Sequence, residues 1–229
     1  MLQNRNLENN TIIMSIAQNL TKIKSQLPAH VTLVAVSKTK PVADLMEAYH
    51  AGQRIFGENY VQELVEKHEA LPKDIQWHFI GHLQSRKVKQ LAPFVSLIHG
   101  VDSFKLLQEI NKQAANNNRI IDCLLQIHIA DEETKFGLDE EELNDIVTSD
   151  DFKNLENIRI VGLMGMATFT ENQNQIEKEF NHLKTIFDKL RTQNSELKTL
   201  SMGMSGDFPL AISCGSTMVR IGSSIFGSR

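Results

Sequence analysis

The chain has 229 residues, 41% hydrophobic and 23% charged, with a formal net charge of −4. A mean hydropathy of −0.25 is a globular value with enough apolar material for a real core, which excludes a disordered chain. No apolar run reaches the roughly eighteen residues of a membrane span, the opening MLQNRNLENN lacks the apolar stretch of a signal peptide, and 24 basic against 28 acidic residues offer no broad basic face for nucleic acid.

The first periodic segment is an amphipathic helix carrying Ile13, Ile16, Ala17, Leu20, Ile23 and Leu27. Its apolar face needs a partner, and the outside or the bottom of a barrel would serve. After it one unit recurs: a short apolar run, then a segment of helical period. The runs are Leu33–Val36, Arg54–Gly57, Trp77–Gly81, Val95–His99, Ile120–Ile129, Ile158–Met164, Leu200–Met202 and Met218–Ile221. Between the first two, Val42, Leu45, Met46 and Tyr49 fall at i, i+3, i+4 and i+7, with Pro41 suited to a first turn. Val61, Leu64, Val65 and His68 repeat that spacing, and Ile176, Phe180, Leu183, Phe187 and Leu190 make a longer stripe.

Strands too apolar to face water, alternating with helices, imply a parallel sheet covered by helices. Eight of them suggest an α/β fold closed into a (β/α)8 barrel, one domain over residues 1–229 with residues 1–30 as a helix packed on it. A doubly wound open sheet is the competitor, and the third and eighth strands carry the weakest signal. Cys123 and Cys214, the only cysteines, have neither CxxC nor metal-finger spacing and read as buried free thiols in a reducing compartment. The expected location is the cytoplasm.

In such a barrel the chemistry sits at the C-terminal ends of the strands. Along the first strand Val34, Val36 and Lys38 share one face. If that face points inward, Lys38 is an amine above an apolar interior, where desolvation favours the free base and Schiff-base formation with an aldehyde. The bland alternative, a strand-end lysine reaching solvent, is the stronger one on this segment alone, and Lys40 beside Pro41 reads that way.

Ser201-Met202-Gly203-Met204-Ser205-Gly206-Asp207 after strand seven and Arg220-Ile221-Gly222-Ser223-Ser224 after strand eight shift the balance. Small residues there let backbone N–H groups approach an anion, at the strands where this barrel usually grips phosphate. A nucleophile elbow fails because Asp207 replaces the last glycine. His78 and His82 stand at H-x-x-x-H spacing, but Phe79 occupies the place of the base and the stretch reads as strand, so no metal site is expected. Asp131-Glu132-Glu133 reads as a solvated loop and Asp139-Glu140-Glu141-Glu142 as a helix N-terminus.

A Schiff-base lysine with a phosphate grip implies a phosphorylated aldehyde, of which pyridoxal 5′-phosphate (PLP) is the common one. Ala35–Pro41, Phe56–Glu63, Trp77–Gln84, Gly162–Met164, Ser201–Asp207 and Val219–Gly222 resemble the PLP homeostasis protein family, whose members share the barrel of alanine racemase's N-terminal domain. The resemblance implies that Lys38 carries PLP and that Ser205, Gly206, Gly222 and Ser223 hold the phosphate. It places Arg220 at the pyridine nitrogen and Asn59 near the ring. Ser223 stands where the family more often has Thr, and Arg86 where Asn is common.

A guanidinium cannot accept the pyridine proton and disfavours protonation there, which weakens the electron sink. The racemase compensates with two bases, one of them a tyrosine from a partner's C-terminal domain, and this chain ends soon after strand eight. Tyr60 is the formal candidate for such a base. The implied function is therefore storage, buffering or delivery of PLP in vitamin B6 homeostasis, without significant catalysis. Apo PLP-dependent enzymes are the implied recipients, and a monomer is expected. The rivals are a PLP-dependent amino-acid racemase and, more remotely, a Schiff-base aldolase.

Overall fold

The computed structural model describes residues 14–132 and 136–227. Ile13 of the expected first helix, the opening MLQNRNLENN and Glu133 of the acidic loop lie outside the described residues.

The first helix, α1 (Ile16–Lys24), starts at Ser15, whose hydroxyl accepts from Gln18 N–H while the Gln18 side chain accepts from Ser15 N–H. This reciprocal box satisfies two orphan donors of the first turn. Strand and helix then alternate: β1 (Thr32–Val36), α2 (Val42–His50), β2 (Ile55–Glu58), α3 (Val61–Ala70), β3 (Gln76–Phe79), α4 (Val88–Leu91), β4 (Leu97–Val101) and α5 (Phe104–Asn116). The second half runs β5 (Ile121–Gln126), α6 (Glu140–Thr148), α7 (Asp150–Lys153), β6 (Ile158–Met164), α8 (Gln173–Gln193), β7 (Thr199–Ser201), α9 (Phe208–Ser213), β8 (Met218–Ile221) and α10 (Ser223–Phe226).

The strands form a closed barrel in chain order. Closure is made by β1 and β8, in register Thr32↔Met218 to Ala35↔Ile221, and this rejects the open sheet. Every expected run overlaps a strand, the third and eighth included, with ends shifted by at most three residues. β4 begins later than the run from Val95 because Val95 N–H still bonds back to Leu91 O. β5 stops at Gln126, and Ile127 leaves the sheet to bridge Leu138.

α1 packs outside the barrel on α2 and α10. It buries Leu20 and Ile23, Asn19 Nδ2 donates to Ile225 O at 3.0 Å, and Ala17 N–H donates to Glu47 Oε1 at 3.1 Å. The stripe expected on α8 is buried at Ile176, Phe180, Leu183 and Phe187. Asp139 opens α6 with a second capping box to Glu142, the helix start read from the acidic run. No helix among the described residues is long and apolar enough to cross a membrane.

Most apolar burial lies between the barrel wall and the surrounding helices. Inside, Val34, Leu97, Leu124, Met164 and Met218 form a smaller cluster. Two residues further along β4, β5 and β8 the same face carries His99, Gln126 and Arg220, all buried. The interior thus turns from apolar to polar toward the C-terminal ends of the strands.

Phe180 on α8 is fully buried. Phe180→Ala should lower unfolding free energy by about 3–5 kcal/mol, read from the urea midpoint at unchanged m-value.

Candidate functional site

A cavity of about 660 Å³ opens at the C-terminal face, lined by Val36, Lys38, Lys40, Asn59, Ile80, residues 166–170, Met204–Asp207, Arg220 and 222–224. It brings together all the expected residues: Lys38, Asn59, Ser205, Gly206, Arg220, Gly222 and Ser223. They come from β1, β2, β7 and β8 or the turns after them, which closure makes neighbours.

Lys38 follows Val34 and Val36 on the inner side. Its neighbour Ser37 faces the helices, where its hydroxyl donates to Glu58 Oε1 at 2.6 Å. Lys67 on α3 donates to Ser37 O, Glu58 Oε1 and Glu63 Oε1, each at 2.7 Å. Glu63 Oε1 also accepts from Thr39 N–H at 2.6 Å. Thr39 has a φ of 66°, a left-handed conformation costly for a β-branched residue, and this bond holds it. Lys67 and Glu58 are both buried; burial pushes the Glu58 carboxyl up against the opposing pull of Lys67. The chain is therefore pinned on both sides of Lys38.

The loops after β7 and β8 meet at Ser205. Its hydroxyl oxygen accepts from Gly222 N–H at 3.3 Å and Ser224 N–H at 3.4 Å, so two backbone donors converge on one point beside the cavity. Gly203 makes the preceding turn with a φ of 97°, and its carbonyl accepts from Arg220 N–H at 2.9 Å. Asp207 Oδ1 accepts from Met204 N–H at 2.6 Å. Asn59 also lines the cavity, and its Oδ1 is buried without a hydrogen-bond partner. Gly81 permits that placement, since a Cβ there would lie 2.5 Å from Asn59 O.

Arg220 is buried in the barrel. Its Nη1 donates to Ser201 O at 2.9 Å and Ser201 Oγ at 2.6 Å, and Nη2 donates to Gly165 O at 3.0 Å. Burial lowers the guanidinium to about 10, with Asp207 opposing, so it stays cationic at neutral pH. Ser201 Oγ lies 3.3 Å from His99 Nδ1, and His99 Nε2 lies 3.1 Å from His78 Nδ1. Sequence reasoning weighed His78 only as half of a metal motif, counted Ser201 only within the loop after strand seven, and gave His99 no role. The available signal was period two, because His99 follows Leu97 on the inner face of β4.

The remaining readings fare differently from one residue to the next. Lys40 lines the cavity rather than simply reaching solvent, because α10 folds beside it and Phe226 O accepts its ammonium at 3.0 Å. His82 is separated from His78: it pairs with Asp102 at 3.0 Å and stacks on Phe136. Glu132 does more than face solvent, since its Oε1 accepts from Phe169 N–H at 2.8 Å and ties down the rim loop after β6. Tyr60 is exposed at the start of α3, Tyr49 donates to Asp74 at 2.9 Å, and neither lines the cavity. Arg86 donates to Gln84 Oε1 in the same loop. Cys123 and Cys214 are buried free thiols.

The alanine racemase N-terminal domain family matches residues 13–229. The pyridoxal phosphate homeostasis protein of Haemophilus influenzae is 40% identical over 231 residues, covering 94% of this chain and 97% of the relative. The solved structure of PipY from Synechococcus elongatus PCC7942 with PLP bound is 37% identical, with a TM-score of 0.85, over 93% of this chain and 100% of that one. An alanine racemase from Clostridium difficile 630 superposes with a TM-score of 0.76 at 18% identity and covers 94% of this chain and 56% of its own, a likeness of fold.

Lys67→Met leaves Glu58 buried without its cation and should cost about 3–5 kcal/mol, measured by chemical denaturation. Burial also lowers His78 to about 3, whereas the unfolded chain binds that proton at about 6.5. The unfolded state therefore takes up the proton first, and stability present above about 6.5 is lost as pH falls toward about 3, by about 1.4 kcal/mol per unit for this histidine. His78→Gln should remove that part of the slope in urea midpoints measured against pH.

Proposed function

The chain belongs to the pyridoxal phosphate homeostasis protein family, and on that premise we propose that it binds PLP through Lys38 in order to store, buffer or deliver the cofactor. The observation that carries this reading is one cavity joining Lys38, Arg220 and the two loops that meet at Ser205. The residues present fit the group. Converging N–H donors and a serine hydroxyl suit a phosphate, and the carboxamide of Asn59 in the lining suits a polar ring substituent.

When bound, PLP supplies an aldehyde that an amine captures reversibly with loss of water. Lys38 provides that amine, on a backbone fixed from behind by Lys67 and Glu63. Ser205 and the backbone at Gly206, Gly222 and Ser223 bind the phosphate. Asn59 orients the ring from β2. Arg220 faces the ring nitrogen as a donor that cannot take its proton, which disfavours chemistry needing a strong electron sink.

The racemase reading lacks support at the second base. Both tyrosines of the chain stand off the cavity. We take the chain as one ligand-binding domain, monomeric and cytoplasmic, passing PLP to apo-enzymes without significant turnover of its own. The even charge balance and the buried thiols support that setting.

Borohydride reduction of the PLP-treated protein should fix one phosphopyridoxyl group on Lys38, located by peptide mass spectrometry. Lys38→Ala should lose the visible absorbance of bound PLP; retention of the full absorbance would overturn the assignment. Chiral analysis after incubation with L-alanine should show no turnover at enzymic rates.

A further inference from the structure

On the reading that this cavity holds PLP, we propose that Ser201, His99 and His78 are positioning residues, a one-way hydrogen-bonded chain that fixes the Arg220 guanidinium at the ring nitrogen. The direction follows from counting protons. A guanidinium has five N–H donors and accepts nothing. Arg220 uses three of them on Ser201 O, Ser201 Oγ and Gly165 O. The remaining donors, one on Nη2 and one on Nε, are those left to meet a ligand in the cavity that Arg220 lines.

Ser201 Oγ accepts from Arg220, so its own hydrogen goes to its other polar neighbour, His99 Nδ1 at 3.3 Å. A ring nitrogen that accepts there carries no hydrogen, which places the His99 hydrogen on Nε2. That hydrogen is donated to His78 Nδ1 at 3.1 Å, and His78 keeps its own on Nε2. In the reverse order His99 would donate to the second lone pair of Ser201 Oγ, and the buried serine hydrogen, whose polar neighbours are Arg220 and His99, would be left without an acceptor. Both rings are held neutral, His78 by burial and His99 by burial and by the charge of Arg220.

The four residues come from β8, β7, β4 and β3 and are all buried, so the chain crosses the barrel interior from wall to wall. Such a span fixes a long side chain as one rigid unit with the barrel. Asp207 is the charge that acts on Arg220 from the rim. Without the Ser201 hydroxyl the guanidinium keeps only the two carbonyls, Ser201 O and Gly165 O, and it can tilt toward that carboxylate and away from the ring nitrogen. The chain thereby sets the protonation state of the bound ring, beyond holding the fold together.

The test loads wild type, Ser201→Ala, His99→Leu and His99→Gln with PLP labelled at the pyridine nitrogen, and records its NMR shift at neutral pH. Wild type should show an unprotonated nitrogen. Ser201→Ala and His99→Leu should move it toward the protonated position and raise the PLP dissociation constant about tenfold, the scale of a lost hydrogen bond to a charged group. His99→Gln should restore both, because its Oε1 can accept from Ser201 while its Nε2 donates to His78.

Thermal unfolding checks that each variant folds, and Ser201→Ala, the smaller change, carries the same readout if His99→Leu does not. Loaded variants with the wild-type nitrogen shift, or a His99→Gln that behaves like His99→Leu, overturn the chain while leaving PLP on Lys38 intact. A wild type that takes no label on Lys38 overturns the underlying reading, and the inference with it.

Discussion

The hydrogen bonding of β1 to β8 is the constraint on which the rest of the site depends. These strands stand at opposite ends of the sequence, yet their register sets Val34 beside Arg220 and Ala35 beside Ile221. Lys38 and Arg220 then line one cavity, although more than three quarters of the chain separates them. An open sheet built from the same strands would leave them on distant edges. Closure also brings the turn after β7 against the turn after β8, where Ser205 accepts from Gly222 and Ser224.

Two buried polar systems hold the site, on opposite sides of the barrel wall. Outside it, Lys67 gathers Glu58, Glu63 and the Ser37 carbonyl. Inside, Arg220 is tied to Ser201, Gly165 and, through Ser201, to the histidine pair. Burying charge is unfavourable unless the partners are close and well aligned. An apolar replacement could stabilise a barrel of this size as well or better, so the placement of these groups points to the cavity they support. One system fixes the backbone around the amine, and the other fixes the cation across from it.

The same division explains the apolar floor. Val34, Leu97, Leu124, Met164 and Met218 fill the lower interior, and on β4, β5 and β8 the polar His99, Gln126 and Arg220 sit one pleat higher. The amine at Lys38 follows Val34 and Val36 on that face, so its surroundings combine an apolar base with a polar, partly open mouth. The reversible capture of an aldehyde proposed above suits such a place, because the backbone around the amine is fixed and the cavity is open at the barrel mouth.

Much of this was legible in the sequence, for reasons visible in particular residues. Local periodicity marked every strand, because a barrel buries both faces of its strands and leaves uninterrupted apolar runs. The period-two argument from Val34 through Val36 placed Lys38 on the inner face, and small residues around Ser205 and Gly222 marked the two loops. Other features depended on contacts between distant segments. Nothing near Lys67 in the sequence marks it for burial; its partners Glu58 and Ser37 are brought to it by the packing of α3 on β1 and β2. Lys40 looked solvent-bound until α10 supplied Phe226 O. His78 suggested half of a metal motif, but in a parallel strand its neighbour is His99 on β4 rather than His82. The sequence by itself determined the alternation of elements, the inward face of β1 and the small-residue turns, because these follow from backbone geometry within a few residues. Only the tertiary structure decided which polar groups meet, because a buried charge finds its partners through closure of the barrel, and closure joins residues that the chain keeps far apart.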